Sequence, residues 1–302
     1  MIAHSTKNDR VGMTDVLGCS IVVGLAGLLA VVALVAQTPE TPVGPVGPVW
    51  PVWPVWNDVN GEPVPFSPDE AILDFLRTAR VVSETPIGVG INESKKLLLE
   101  KDGVEINAMF RDVEIERRHA KMGERVHQIF RDSYRYEGAA YELSRLLGLN
   151  NVPPVARRTI RRRRGSVQIW LSPTLDETDE DFRAPNASEW AKQLWSMYVF
   201  DNLVFNIDRN AGNILVDSRY KLWMIDHTRA FQIESELLND WVTRVERRLW
   251  DVLVSLTDEE IRTAMKPHLK SSEIRSLLER RAKLVEHVRK LVDERGENIV
   301  FY

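Results

Sequence analysis

The stretch VFDNLVFNIDRNAGNILVDSRYKLWMIDHTRAF, residues 199–231, constrains this chain more than any other, because it packs a helix end, a loop and two short strands into a few dozen residues. A helix beginning near Ser188 and using Trp190, Leu194, Met197 and Val204 as apolar contacts would deliver the chain into a loop at Asn206. Residues 214–216 and 222–225 read as short strands joined through Asp217 to Lys221. Antiparallel pairing would bring their open ends together, setting Asn213, just before one strand, beside Asp226, just after the other.

That juxtaposition has chemical meaning. Asn213 and Asp226 offer a neutral and an anionic oxygen, a donor set suited to magnesium or manganese carrying phosphate oxygens. Asp208 stands in the preceding loop, where it could orient an attacking hydroxyl and take its proton. Buried together, such carboxylates repel unless metal, Arg209 or solvent compensates them. His227 follows Asp226 and could either orient the metal loop or simply pack, and Trp170 and Trp223 read as core residues.

The rest of the chain supplies the frame. Residues 80–110 alternate extended segments and turns, RVVSETPIGVG, KKLLLEKDG and VEINAMF, with Asp102 and Gly103 marking a tight reversal; a small antiparallel sheet is expected. Gly88 and Gly90 would let the first hairpin bring backbone donors close to nucleotide phosphates. Residues 133–147 place Tyr136, Ala139, Ala140, Leu143 and Leu147 on one helical face before Gly148. Two further extended segments flank RRRRGS, and Arg161 to Arg164 read as a solvated hairpin tip, with anionic lipid or an acidic substrate as the other reading. From Ser188 the pattern becomes mostly helical, with Thr257 and Glu260 at capping-box spacing. Strands first and helices later imply an α+β, two-part architecture with a cleft between the parts.

Ahead of the folded region lie two segments of another kind. Residues 16–36, VLGCSIVVGLAGLLAVVALVA, carry no charge, and a helix rising about 1.5 Å per residue would span the roughly 30 Å hydrocarbon layer. A single membrane anchor is expected there, with a cleaved export signal as the rival. Lys7 and Arg10 precede it and no basic residue follows until Arg77, which predicts a single-pass protein with its large domain extracytoplasmic or luminal. Residues 42–56, PVGPVGPVWPVWPVW, repeat every third position and suit an extended polyproline II spacer with Trp50, Trp53 and Trp56 on one edge. Those aromatics would touch either membrane headgroups or the protein's own domain. Ser67, Pro68 and Glu70 then form a helix start. The expected organisation is a tail over 1–15, an anchor over 16–36, a linker over 37–66 and one domain over 67–302, its amino lobe ending at 171 and its carboxy lobe running from 172.

Composition narrows the classes. Forty basic residues against forty-four acidic ones, net −4, give no electrostatic reason to expect specific nucleic acid binding. One cysteine, Cys19, excludes an intramolecular disulfide framework and a cysteine cluster for zinc or iron. Oligomeric state is not legible.

DRNAGN and IDHTRAF together resemble the catalytic loop and metal-binding segment of the phosphatidylinositol-kinase-like branch of the protein-kinase-like fold. The chain looks most like bacterial relatives of the secretory-pathway kinases that include the Golgi casein kinase and the proteoglycan xylosylkinase. The upstream YEGAAYELSRLLGLNNVPPVARR adds to this, with Glu137 where that family has its amino-lobe helical glutamate. The resemblance covers about residues 80–235 and implies a small antiparallel-sheet amino lobe, a mainly helical carboxy lobe, and use of ATP with magnesium or manganese. It implies transfer to a hydroxyl acceptor, with protein Ser/Thr favoured over glycan or lipid. It places Asp208, Asn213 and Asp226 in the catalytic site, Asn213 and Asp226 on the metal, and Gln168 at the start of the connection that faces adenine. One position departs: where the resemblance predicts a nucleotide-contacting lysine paired with Glu137, this chain has Arg111 in NAMFRDV. Arginine keeps the charge but brings a larger planar head. An enzyme using Arg111, recruitment of Lys95 or Lys96, and a nucleotide-binding module without turnover are all compatible with the sequence.

Overall fold

Antiparallel pairing of local segments builds the first half of the structure, a computed structural model that describes residues 56–66, 69–88, 94–122, 125–172, 174–176, 184 and 186–302. The expected anchor, most of the linker including Trp50 and Trp53, the helix start at Ser67 and Pro68, and Gly90 lie outside the described residues. Among the described residues no helix is long and apolar enough to cross a membrane.

Helix α1 (Asp69–Thr78) leads into β1 (Arg80–Pro86), β2 (Lys95–Lys101) and β3 (Val104–Arg111). The β2–β3 reversal runs through Asp102 and Gly103, both at positive φ, so the turn expected there is present. Next comes a separate hairpin, β4 (Glu114–Met122) with β5 (Arg125–Ser133), for which the sequence reading had no element. Helix α2 (Arg135–Leu146) follows, its buried face carrying Tyr136, Ala139, Ala140 and Leu143 as the periodicity required, and Gly148 at φ 71 ends it. Strands β6 (Val155–Ile160) and β7 (Arg163–Ile169) complete a five-stranded antiparallel sheet in the order β1-β2-β3-β7-β6. The burial of Leu97, Leu99, Ile106 and Ala108 on one face, with partly exposed residues alternating between them, is the signature of a half-covered sheet.

Beyond Trp170 to Ser172 the chain enters its helical half. Strand β8 (Thr174–Asp176) joins β9 (Ile214–Asp217) and β10 (Leu222–Met224) in a small antiparallel sheet with β9 central. Between them runs α3 (Ala187–Val204), capped by Asn186, whose side-chain oxygen accepts from the backbone N–H of Ser188 and Glu189. Helices α4 (Arg247–Ser255), α5 (Asp258–Met265), α6 (Ser271–Arg295) and the short α7 (Glu297–Val300) close the chain. The Thr257 and Glu260 capping box is present at the start of α5. The two-part, sheet-then-helix architecture expected from the element order is therefore what forms.

Residues 56–66, read from the sequence as the end of the linker, pack onto both β3 of the sheet half and β10 of the helical half. Trp56 and Val64 are buried, the Val59 N–H donates to the Glu105 carbonyl at 3.0 Å, and the Trp56 ring meets Trp223 at 5.3 Å between centroids. For Trp56, contact with its own domain is the outcome.

Candidate active site

The pairing of β9 with β10 sets the geometry. Met224 stands opposite Ile214, and the Ile225 N–H donates to the Asn213 carbonyl at 3.1 Å, so Asn213 and the Asp226 segment lie side by side at the open end of the hairpin. Asp226 itself takes a left-handed conformation, φ 56, which aspartate tolerates better than most residues.

Arg209 ties these pieces into one body. Its Nε and Nη2 donate to the two carboxylate oxygens of Asp201 on α3, at 3.0 and 3.2 Å. Nη1 donates to the Asn213 carbonyl at 2.9 Å and to the Ile225 carbonyl at 2.8 Å. Nη2 also reaches His227 Nε2 at 2.9 Å. A guanidinium can only donate, so His227 Nε2 must accept and its proton resides on Nδ1, which faces Glu137 Oε2 at 3.6 Å. Burial keeps His227 below its ordinary pKa, in agreement with a neutral ring.

Asp208 sits on the rim of this body. Its backbone N–H donates to the Asn206 side chain at 3.2 Å, and its carbonyl accepts from Asn213 Nδ2 at 3.0 Å. Its Oδ2 accepts from Arg229 Nη1 at 2.9 Å, while Oδ1 has no hydrogen-bond partner among the described residues. Arg229 Nε donates in turn to Asp132 on β5 at 3.0 Å. Burial raises the Asp208 pKa, Arg229 opposes the rise, and the charges of Asp226 and Asp132 reinforce it. A cavity of about 720 Å³ opens beside it, walled by Tyr198, Asn210, Arg229, Asn239 and Trp241; neither Asn213 nor Asp226 lines it.

From the sheet half, Arg111 at the end of β3 reaches across. It donates from Nη1 to Glu137 Oε1, from Nη2 to Asp226 Oδ2 at 3.1 Å and from Nε to Ser94 Oγ at 3.2 Å. Both Arg111 and Glu137 are buried. Burial alone would lift the Glu137 pKa; the Arg111 charge and the His227 N–H outweigh it and hold the carboxylate well below its ordinary value. Lys95 is engaged with Glu84, and the Lys96 ammonium lies 4.6 Å over the Trp170 ring, so the partner of Glu137 is Arg111. Gly88, φ 70, lies in the β1–β2 connection, and Gln168 is buried on β7 opposite Met109 and Val155, with its Nε2 unpartnered among the described residues.

Among the described residues no three His, Cys, Asp or Glu side chains converge into a metal cage. The chain does offer the smaller set. Asn213 spends its amide N–H on Asp208, leaving its Oδ1 without a partner among the described residues. Asp226 accepts from Thr228 Oγ1 at 3.1 Å and from Arg111, one bond per oxygen, so each oxygen keeps a free lone pair. Two protein oxygens fit a magnesium or manganese ion whose other positions are taken by phosphate and water.

Sequence reasoning missed Arg229 and Asp132 altogether and gave Arg209 only a compensating charge. The signal for Arg209 was present, since a buried arginine needs several acceptors and the loop around it offers backbone carbonyls at both strand ends. Asp132 lay in the hairpin that carried no reading.

No family model matches the sequence, and no curated protein does. In three dimensions the chain is similar to the hydra Fam20 structure with sugar, at 17% identity and a TM-score of 0.60, covering 76% of this chain and 91% of that one. It is similar to the Golgi casein kinase at 14% identity and a TM-score of 0.58, covering 77% and 78%, and to the same kinase with Mn/ADP bound at a TM-score of 0.57.

Proposed function

Taking as premise that the chain has the two-lobed protein-kinase-like fold, we propose that it is an ATP-dependent phosphotransferase acting on a hydroxyl acceptor, with protein Ser/Thr favoured and a glycan or lipid hydroxyl as the alternative class. The observation that carries this reading is the single body made by Arg209, which holds Asn213, the Asp226 strand end and the Asp201–Asp208 loop in one fixed relation. The manganese and ADP bound in the similar Golgi casein kinase support the same cofactor pair here.

In this reading the acceptor occupies the cavity beside Asp208, and its hydroxyl donates to the free Oδ1. Arg229, bound to Oδ2, keeps that carboxylate in place and opposes the effect of burial on its charge. As the hydroxyl oxygen bonds to the γ-phosphorus and the bond to the departing ADP oxygen breaks, the hydroxyl proton passes to Asp208. Asn213 and Asp226 would hold a divalent ion, which would supply charge neutralisation for the phosphates. Arg111, fixed by Glu137, faces the phosphates with donors, and the β1–β2 connection at Gly88 covers them. In the same reading residues 16–36 would tether the domain to a membrane.

A second reading has its own observation. Arg111 binds Asp226 directly, where a lysine paired with Glu137 was expected, and this favours a nucleotide-binding module without turnover. Phosphate transfer from ATP with manganese to a panel of protein and glycan acceptors, run beside calorimetric nucleotide binding, separates the two. The enzyme reading expects transfer by the wild type and none by Asp208→Asn or Asp226→Asn. Metal-dependent binding with no transfer supports the module, and neither property in a folded protein overturns both.

A further inference from the structure

The proline repeat enters the folded unit through its last tryptophan. Trp56 is buried, its ring stands 5.3 Å from Trp223, and its carbonyl accepts from the Val64 N–H at 2.7 Å. The three residues before it, Trp53, Pro54 and Val55, belong to the same repeated unit, Trp-Pro-Val-Trp. A groove of about 280 Å³ opens where Trp56 enters, walled by Trp56, Asn57, Trp170, Ser172, Arg219 and Trp223.

The groove fits a polyproline II segment in three ways. Aromatic walls are the surface on which such segments dock, since the rings of proline and tryptophan stack there with little loss of conformational entropy. The segment leaves its backbone carbonyls without internal partners, and Asn57, Ser172 and Arg219 place donors on the rim. With three residues per turn and about 3.1 Å per residue, Trp53 falls on the same edge as Trp56, about 9 Å back along the repeat. Trp170 remains partly exposed in the groove.

We propose that this groove is the seat of residues 53–55 of the same chain, with the Trp53 indole against Trp170. Direct covalent continuity through Trp56 raises the effective concentration of this occupant far above that of any second copy. The seat lies on Trp170 to Ser172, the connection between the two sheets, so the linker is held at the junction of the lobes. The proposal does not depend on the phosphotransferase reading.

Hydroxyl-radical footprinting of the full chain, read by mass spectrometry at each tryptophan, tests it. Trp53 is expected to be modified about tenfold more slowly than Trp50, at a rate independent of protein concentration. Ser172→Phe fills the groove from an exposed position, and in that variant Trp53 should react as fast as Trp50. Equal rates in the wild type overturn the proposal. So does protection that survives Ser172→Phe, and protection lost on dilution assigns the groove to the repeat of a second copy instead.

Discussion

The floor and the roof of the cleft are held together by different means. On the floor, Arg209 distributes its donors over a carboxylate, two backbone carbonyls and an imidazole, so each loop is fixed through several bonds at once. On the roof, Arg111 is the one guanidinium joining Glu137 of α2 to Asp226 of the floor. The loops that Arg209 ties together are fixed by bonds within the floor, whereas Asp208 is also linked to β5 through Arg229 and Asp132, and the roof is positioned partly by a bond to the residue proposed to hold metal. Preorganisation therefore belongs to the helical half, and adjustment to the sheet half.

The sharpest way to break this contrast is Arg209→Ala. It strands Asp201 without its bidentate partner and frees both strand ends, and the expected cost is about 3–5 kcal/mol of unfolding free energy, with transfer and nucleotide binding both lost. Urea denaturation measures it; a cost near zero would mean that the floor does not rely on Arg209. Next is Gly165→Ala. A Cβ there would stand well under 3.0 Å from the Arg111 carbonyl oxygen and the Phe110 ring. The strain should cost about 1–3 kcal/mol and push Arg111 off Glu137, weakening nucleotide binding while Arg209 contacts persist.

Arg111→Lys sharpens the comparison more gently. An ammonium is a point charge without the planar fork that spans Glu137 and Asp226, so Asp226 is released. Titration of a fluorescent nucleotide analogue with manganese should show half-saturation at about fivefold lower metal, the equivalent of about 1 kcal/mol. An unchanged metal requirement would show that the Arg111 contact does not compete. A further test comes from pH. His268 packs against Gly138, next to Glu137, and burial holds its pKa down at about 4. The unfolded chain, with an imidazole near its ordinary value of about 6.5, then binds more protons than the folded one between pH 6.5 and 4. The stabilisation is complete above pH 6.5 and is lost as pH falls toward 4, so thermal melts of His268→Gln should show a shallower decline over that window than the wild type.

Local pattern and short-range pairing were legible; interactions across long loops were not. The β9–β10 hairpin, the α2 face and the Thr257 box each follow from spacings within a dozen residues. Asn213 beside Asp226 was legible because a hairpin converts sequence separation into adjacency by a fixed rule. Arg229 to Asp132 spans 97 residues and joins a hairpin to a loop, and no periodicity encodes such a meeting. The β4–β5 hairpin escaped because its charged residues, EIERRHAK, mask the alternation by which half-buried strands announce themselves. Trp56 was left between headgroups and domain because a three-residue period says which edge the ring occupies and nothing of what that edge meets.

The positive φ of Asp226 also restricts the routes by which this site can change over generations. A left-handed backbone at that position admits glycine, asparagine and aspartate readily and penalises most other side chains. On the proposed function, lineages that abandon metal chemistry while keeping the fold are channelled toward Asn or Gly at 226, and a survey of divergent sequences can be read for those two letters as the mark of a site that no longer holds metal.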